Sequence, residues 1–433
     1  MRILRSGLPA ILAACFVFCS FTAADAGQVI EYEMVDLSVT FGRENSGAFG
    51  LDPLTTAVGQ ARVEFETHAF VWRRDSENDL GTLGGEVATA FAMNADGVVV
   101  GQSSNFNGFL RPFIWDETDG MRDFTGALQR IGGAFDINDA GQVAGFDDFF
   151  GVQFATLWDP DDFEATQLAM GNFDAGSARA INAHGDAAGW VEDNFGAMTA
   201  ARWIDGQFEP LTGLGGEESR AFDINDSGQA VGFGTTTGFL QRPVLWQADG
   251  SFIDFGTFGG DAGAANAINN EGVIVGTADD DLDRMLGFIR RPGEPIRNLN
   301  ALIADSEQTI LIAEATAIND QGVIAGFGTT ETGEDHALLL LPRAVGDLNG
   351  DFVVNGLDIP DFKQALANPA AWEAETGRDP DVIADYDGNG VFNGLDIPGF
   401  KADLADADAA VPEPATALLA LAALGLLGRR GRR

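Results

Sequence analysis

Two twelve-residue stretches carry the clearest chemistry in the chain. The first places Asp347, Asn349, Asp351, Val353, Asn355 and Asp358 at positions 1, 3, 5, 7, 9 and 12. The second places Asp385, Asp387, Asn389, Val391, Asn393 and Asp396 at the same positions. Oxygen donors at this spacing wrap a hard cation, with the valine at position 7 offering its backbone carbonyl. Five side-chain donors recurring twice predict two bound calcium ions. The loops differ at position 6, where the chain turns sharply and glycine is favoured. The second loop has Gly390 there and the first has Phe352. The second is therefore expected to bind more tightly.

Other groups able to do chemistry carry less. The three histidines are His68, His184 and His336. His68 and His336 occupy the same slot of a repeated unit, which points to a structural role. Asp139, Asp226 and Asp320 sit inside a repeated turn, where turn chemistry accounts for them. Both cysteines, Cys15 and Cys19, lie in the N-terminal apolar stretch, so the mature chain has no disulfide and no thiolate metal site. No catalytic constellation emerges, and a non-enzymatic protein is expected.

The elements around the loops are of two kinds. Each calcium loop runs into a helix-like segment, Ile359-Pro360-Asp361-Phe362-Lys363-Gln364-Ala365-Leu366 and Ile397-Pro398-Gly399-Phe400-Lys401-Ala402-Asp403-Leu404. Upstream, the chain repeats itself. Asn-x-x-Gly recurs at Asn94, Asn138, Asn182, Asn225, Asn269 and Asn319, at intervals of 44, 44, 43, 44 and 50 residues. A second glycine follows four residues after each: Gly101, Gly145, Gly189, Gly232, Gly276 and Gly326. A degenerate earlier copy at Leu51-Asp52, ending in Val58-Gly59, makes seven. Asparagine suits the start of a type I turn, and glycine supplies the left-handed residue that closes a three-residue hairpin loop.

Every unit also holds a short apolar run, such as His68-Ala69-Phe70-Val71-Trp72, Phe113-Ile114-Trp115 or Val244-Leu245-Trp246. Tryptophans at 72, 115, 158, 203 and 246 share this slot and are expected to pack between sheets. About four β runs per unit match a propeller blade, with an open β-solenoid as the alternative. The first unit begins only at Val35-Asp36-Leu37, while a surplus strand, His336 to Leu340, ends the series. Joining the two builds one blade from both ends and leaves no free edge. The fold class expected is mainly β: a seven-bladed β-propeller-like repeat domain over 27–343, then a small α domain of paired calcium loops and helices over 344–408.

The two ends read as sorting signals. Arg2 and Arg5, an apolar run from Leu8 to Phe21 and Ala24-Asp25-Ala26 form a signal peptide over 1–26. At the other end, Val411-Pro412-Glu413-Pro414 precedes an apolar stretch, Ala415 to Gly428, and the basic cluster Arg429, Arg430, Arg432 and Arg433. Fourteen apolar residues make a short transmembrane segment, with the arginines held on the cytoplasmic side. Removing both tails takes six arginines and two acids from 25 basic and 66 acidic residues. The 19 basic and 64 acidic residues that remain exclude nucleic acid as a partner, because phosphate binding needs a basic surface.

Three resemblances follow from these residues. The tail over 411–433 resembles the PEP-CTERM sorting signal of Gram-negative bacteria. That likeness implies transient inner-membrane docking, processing near Pro412–Pro414 by an exosortase, and release to the cell surface or to exopolysaccharide. His68-Ala69-Phe70, Asp79-Leu80-Gly81-Thr82-Leu83-Gly84-Gly85, Ala90-Phe91-Ala92-Met93-Asn94 and Val99-Val100-Gly101 resemble the HAF repeat of exported bacterial proteins. The calcium loops, each with only a following helix and with Asp at position 12, resemble type I dockerin, an EF-hand-like module that binds cohesins in polysaccharide-degrading assemblies. Positions 10 and 11 are Gly356-Leu357 and Gly394-Leu395, where cohesin-binding dockerins often carry polar pairs. The partner therefore stays open between a cohesin-like protein and another surface protein. Two functions stay open with it: a non-enzymatic surface scaffold for protein or glycan, or a polysaccharide-degrading or carbohydrate-binding component docked through the calcium module.

Overall fold

The structure is a computed structural model that describes residues 32–38, 45–73, 76–125, 130–159, 163–303, 309–342, 346, 348, 356–376, 380–384, 386 and 391–410. The signal peptide and the C-terminal sorting segment lie outside these residues. So do Asp347, Asn349, Asp351, Phe352, Val353, Asn355, Asp385, Asp387, Asn389 and Gly390.

The protein is mainly β. The described residues form 28 strands, numbered β1–β28 in chain order, ahead of a short helical module. They pair as antiparallel meanders in five hydrogen-bonded sheets. Two sheets hold eight strands because a single parallel bridge, Thr67↔Val87 or Met198↔Glu218, joins one meander to the next. Each complete meander starts with an inner strand, such as Gly84–Met93 (β6), and steps outward through Val99–Asn105 (β7) and Leu110–Asp116 (β8).

The repeated turn behaves as its residues dictate. Asn94 N–H donates to Val98 O, Gly97 N–H donates to Asn94 O, and Gly97 takes a left-handed φ of 79°. The asparagine side chain does more than close its own hairpin. Its Oδ1 accepts from the backbone of its own turn, while its Nδ2 reaches the backbone carbonyl of the next repeat's asparagine. Asn94 donates to Asn138 O, Asn138 to Asn182 O and Asn182 to Asn225 O at 3.4, 3.0 and 3.1 Å. Asn225 donates to Asn269 O and Asn269 to Asn319 O at 3.2 and 3.1 Å. Asn319 then donates to Asp52 O at 3.2 Å, back in the first copy. The chain of donors stops there, because an aspartate carboxylate has no N–H to pass on.

Closure is also built at the outer edge. Tyr32–Asp36 (β1) pairs antiparallel with Asp335–Pro342 (β28), from Tyr32↔Pro342 to Asp36↔Leu338. This seam copies an ordinary pair of outer strands. His336 Nδ1 lies 2.8 Å from Asp36 Oδ2, as His68 Nδ1 lies 2.8 Å from Asp79 Oδ1 between Glu66–Arg73 (β4) and Ser76–Gly81 (β5). β1 thus fills the place of a fourth strand 300 residues downstream of itself. The meanders make a propeller-like fold without a free seam edge.

The sheets are held by apolar layers between neighbours. Trp72, Trp115, Trp158, Trp203 and Trp246 are all buried, as packing residues should be. Trp203 and Trp246 also donate their indole N–H to Ala169 O and Thr212 O. Among the described residues, no helix is long and apolar enough to cross a membrane.

The helical module has a core of its own: Leu348, Ile359, Phe362, Trp372, Phe392, Ile397, Phe400 and Leu404 all enter it. Helices span Ile359–Ala367 and Ile397–Ala410, as the sequence pattern requires. Pro360 and Pro398 sit in the first turn of each, where no intrahelical N–H is missed. The segment between the loops forms helices Pro369–Thr376 and Pro380–Ile383. Trp372 draws that segment inward, fully buried. The equivalent Phe362 and Phe400 stack face to face, with centroids 4.0 Å apart and planes 4° from parallel.

Candidate functional site

Every inner strand carries a β-bulge three residues before its turn asparagine or aspartate. The pairing skips one residue between Ala48 and Gly50, Ala90 and Ala92, Ala134 and Asp136, and Ala178 and Ala180. It skips one again between Ala221 and Asp223, Ala265 and Ala267, and Ala315 and Ala317. A bulge frees its residue from the ladder and re-aims it. The freed residues are Phe49, Phe91, Phe135, Arg179, Phe222, Asn266 and Thr316, and all line one cavity of about 590 Å³, open to solvent.

The sequence builds this crowding with small residues. The alanine before each bulge is completely buried. Opposite it stands the second repeated glycine. A Cβ on Gly101 would sit 2.1 Å from Thr89 O, and one on Gly232 would sit 1.9 Å from Arg220 O. These glycines are needed for close approach of strands, not for turn formation.

Around the cavity the lining is uneven. Phe49, Phe91 and Phe135 form an aromatic arc, with centroid separations of 6.2 and 5.3 Å. Arg179 continues the arc, its guanidinium carbon 3.8 Å from the Phe135 ring centroid, a cation–π stack. The other side is polar. Asn266 Nδ2 donates to Glu314 Oε1 and to Ala315 O, and burial pushes the Glu314 carboxyl up.

Two aspartates stand where the other repeats have alanine or glycine. Asp136 Oδ1 accepts from Ile137 N–H and Oδ2 from Ile181 N–H, both at 2.8 Å. Asp223 Oδ1 accepts from Ile224 N–H at 2.7 Å and Oδ2 from Ile268 N–H at 2.8 Å. Each carboxylate thus clasps its own repeat to the next. Desolvation raises Asp136 to about 7, with a further rise from the charge of Asp223. Desolvation raises Asp223 to about 6. Water in the cavity still reaches part of both side chains.

The repeat-slot histidines and the turn acids fall where their repeats put them. His68 and His336 hold outer strands through Asp79 and Asp36. The turn acids cap the neighbouring turn: Asp139 accepts from Ala95 N–H, Asp226 from Ala183 N–H and Asp320 from Asn270 N–H. The cavity residues were missed from sequence. Their signal was a variable position just after an alanine in every repeat, reading Phe, Phe, Phe, Arg, Phe, Asn and Thr from 49 to 316.

Of the twelve calcium-loop positions, Asp358, Val391, Asn393 and Asp396 are described. Asp358 and Asp396, position 12 of each loop, are completely buried. The same contact closes both: Asp358 Oδ1 accepts from Leu348 N–H and Asp396 Oδ1 from Tyr386 N–H, each at 2.9 Å. The last position is thereby drawn back to the second, the wrap a cation-binding loop needs. The donor set is all oxygen, which suits a hard cation. Among the described residues no group of three or more His, Cys, Asp or Glu comes together. Leu357 and Leu395, position 11 of each loop, are exposed.

Fold and tail together define a class: an exported, propeller-like protein sorted by its C-terminus. The chain carries a PEP-CTERM protein-sorting motif over residues 410–433, which makes it a substrate of exosortase sorting to the Gram-negative cell surface. Residues 183–358 match the family described as a protein of unknown function, DUF3466. No curated protein matches the chain. Among solved structures, it is similar to the β-propeller domain of the trilobed protease from Pyrococcus furiosus, with 10% identity and a TM-score of 0.49 over 69% of this chain and 93% of that one. It is similar to the acylaminoacyl peptidase of Pyrococcus horikoshii, with 14% identity and a TM-score of 0.48 over 74% of this chain and 55% of that one. TolB from Acinetobacter baumannii is a third likeness, with 12% identity and a TM-score of 0.38 over 67% of this chain and 80% of that one. These are likenesses of fold alone.

Proposed function

We propose that this is a non-enzymatic surface-binding protein. Its repeat domain, about 27–343, is a closed seven-bladed propeller of HAF-type units, and its dockerin-like module, about 344–408, binds two calcium ions. Asp347, Asn349, Asp351, Val353, Asn355 and Asp358 hold one ion, and Asp385, Asp387, Asn389, Val391, Asn393 and Asp396 hold the other. The calcium supplies counter-charge and rigidity to the loops. The observation that carries the reading is the state of the channel aspartates. Both oxygens of Asp136 and of Asp223 are committed to backbone N–H groups of two repeats. A general base needs an oxygen turned to substrate, so these carboxylates act as clasps. The aromatic arc and Arg179 leave the cavity suited to holding a ligand, and the exposed Leu357 and Leu395 offer an apolar contact to a protein partner.

The test is to incubate the exported chain, with calcium, on a panel of polysaccharides and to assay both retention and release of reducing ends. Retention of a glycan or a surface protein without turnover is expected. Reproducible release of reducing ends, abolished by Asp136→Asn or Asp223→Asn in a variant that still folds, would overturn the reading in favour of a polysaccharide-degrading enzyme.

A further inference from the structure

Arg179 is the one cationic residue at a bulge position. It is half-buried and stacked flat on Phe135. It has no hydrogen-bond or ion-pair partner among the described residues. The charge that acts on it is another cation, Arg220 on the next inner strand. Desolvation first, and the Arg220 charge second, pull Arg179 down to about 10, so it is fully charged at neutral pH. Arg220 is only partly satisfied: it pairs with Glu218 at 2.8 Å, while its buried Nε has no partner. A buried cation without counter-charge is costly to a fold, and glutamine or methionine would fill the same space without that cost.

We infer that Arg179 is the anchor of a ligand site in the propeller channel, and that it receives the carboxylate of a small molecule whose ring-shaped body lies on the Phe49, Phe91 and Phe135 arc. The inference rests on the binding-protein reading for the open channel. A guanidinium offers two parallel N–H donors, the match for a planar carboxylate. A singly charged anion is favoured over phosphate because Asp136 and Asp223 also line the cavity. A second negative charge on the ligand would meet these acids.

The experiment is calorimetric titration of the exported chain with benzoate, benzyl alcohol, glucuronate and glucose. Benzoate or glucuronate should bind at least about tenfold more tightly than its neutral counterpart, the effect of one charge-assisted bidentate contact. Whichever acid prevails separates an aromatic from a sugar body. Arg179→Met should abolish that preference while leaving the melting temperature unchanged or higher, because it removes an uncompensated charge. Arg179→Lys should retain charge but lose most of the preference, because it lacks the planar fork. Equal binding of acid and neutral probe, or no binding of either acid, would overturn the inference. So would an Arg179→Met variant that binds like wild type, or one that unfolds while Arg179→Lys keeps full stability. Turnover of a polysaccharide would sink the non-enzymatic reading and leave this result standing on its own.

Discussion

Asp136→Ala should make stability less dependent on pH, and it should change sign as a mutation between acid and neutral conditions. Alanine is the residue at the equivalent site in four repeats, Ala92, Ala180, Ala267 and Ala317, so the backbone accepts it. Asp136 is held near 7, above an ordinary 3.8. A carboxyl raised in the folded state binds its proton more tightly there than in the unfolded chain. Stability is then greatest below pH 4, falls as pH rises from 4 to 7, and stays low above. The shift from 3.8 to about 7 corresponds to about 4 kcal/mol across that window, an upper bound because cavity water reaches the side chain. Against this stands the loss of the acceptor for Ile137 N–H and Ile181 N–H, which costs about 1–3 kcal/mol at any pH. The variant should therefore be less stable than wild type at pH 4.5 and equal or more stable at pH 8. Urea unfolding followed by tryptophan fluorescence measures both, and the repulsion among the many acids cancels in the comparison. Asp223 keeps a smaller slope of its own, confined to pH 4 to 6. A stability difference between variant and wild type that is the same at pH 4.5 and pH 8 would refute the argument.

Deleting residues 335–343 removes the partner of Tyr32–Asp36, so the melting temperature should fall and size-exclusion chromatography should show association; a monomer with an unchanged melt would mean that the ring does not depend on this seam. Gly232→Ala should cost at least about 3 kcal/mol in urea unfolding, since its Cβ would lie 1.9 Å from Arg220 O. Gly97→Ala, at a φ of 79° with open space around it, should cost only about 1–2 kcal/mol. Calcium titration should resolve two steps, with the second loop about five- to thirty-fold tighter because Phe352 stands where Gly390 stands. Phe352→Gly should merge the steps and Asp396→Ala should remove the tighter one; a single affinity unmoved by Phe352→Gly would show that position 6 does not separate the sites.

What could be read from sequence was what local chemistry decides. Asn94 to Gly97 states its turn in four residues, and the copies then fix the length of a unit. The seam was also legible, because a count of apolar runs left Val35 short of a partner and His336 to Leu340 in surplus. The channel was not legible. Strand alternation assigns each residue to a face, but the bulge after Ala134 or Ala178 resets that alternation, so Phe135 and Arg179 point where a period of two does not send them. Asp136 and Asp223 drew no reading because nothing nearby in sequence reveals Ile181 and Ile268, whose N–H groups they hold. In the helical module the repeated spacing of oxygen donors was plain, whereas the helices around Trp372 were not. They depend on one indole finding a core made of residues on both sides of it.

The seam between Tyr32–Asp36 and Asp335–Pro342 also turns the order of export into an order of assembly. Of the two strands, the one made first is paired by the one that follows 300 residues later. Until that moment the growing row of sheets is an open arc with an unsatisfied edge. A chain cut short anywhere before Asp335 never passes this point, and it keeps on display the backbone N–H and C=O groups that proteases and other strands recognise. The two ends of the repeat domain thus act as a proofreading contact, because only a complete molecule can hide its own edge.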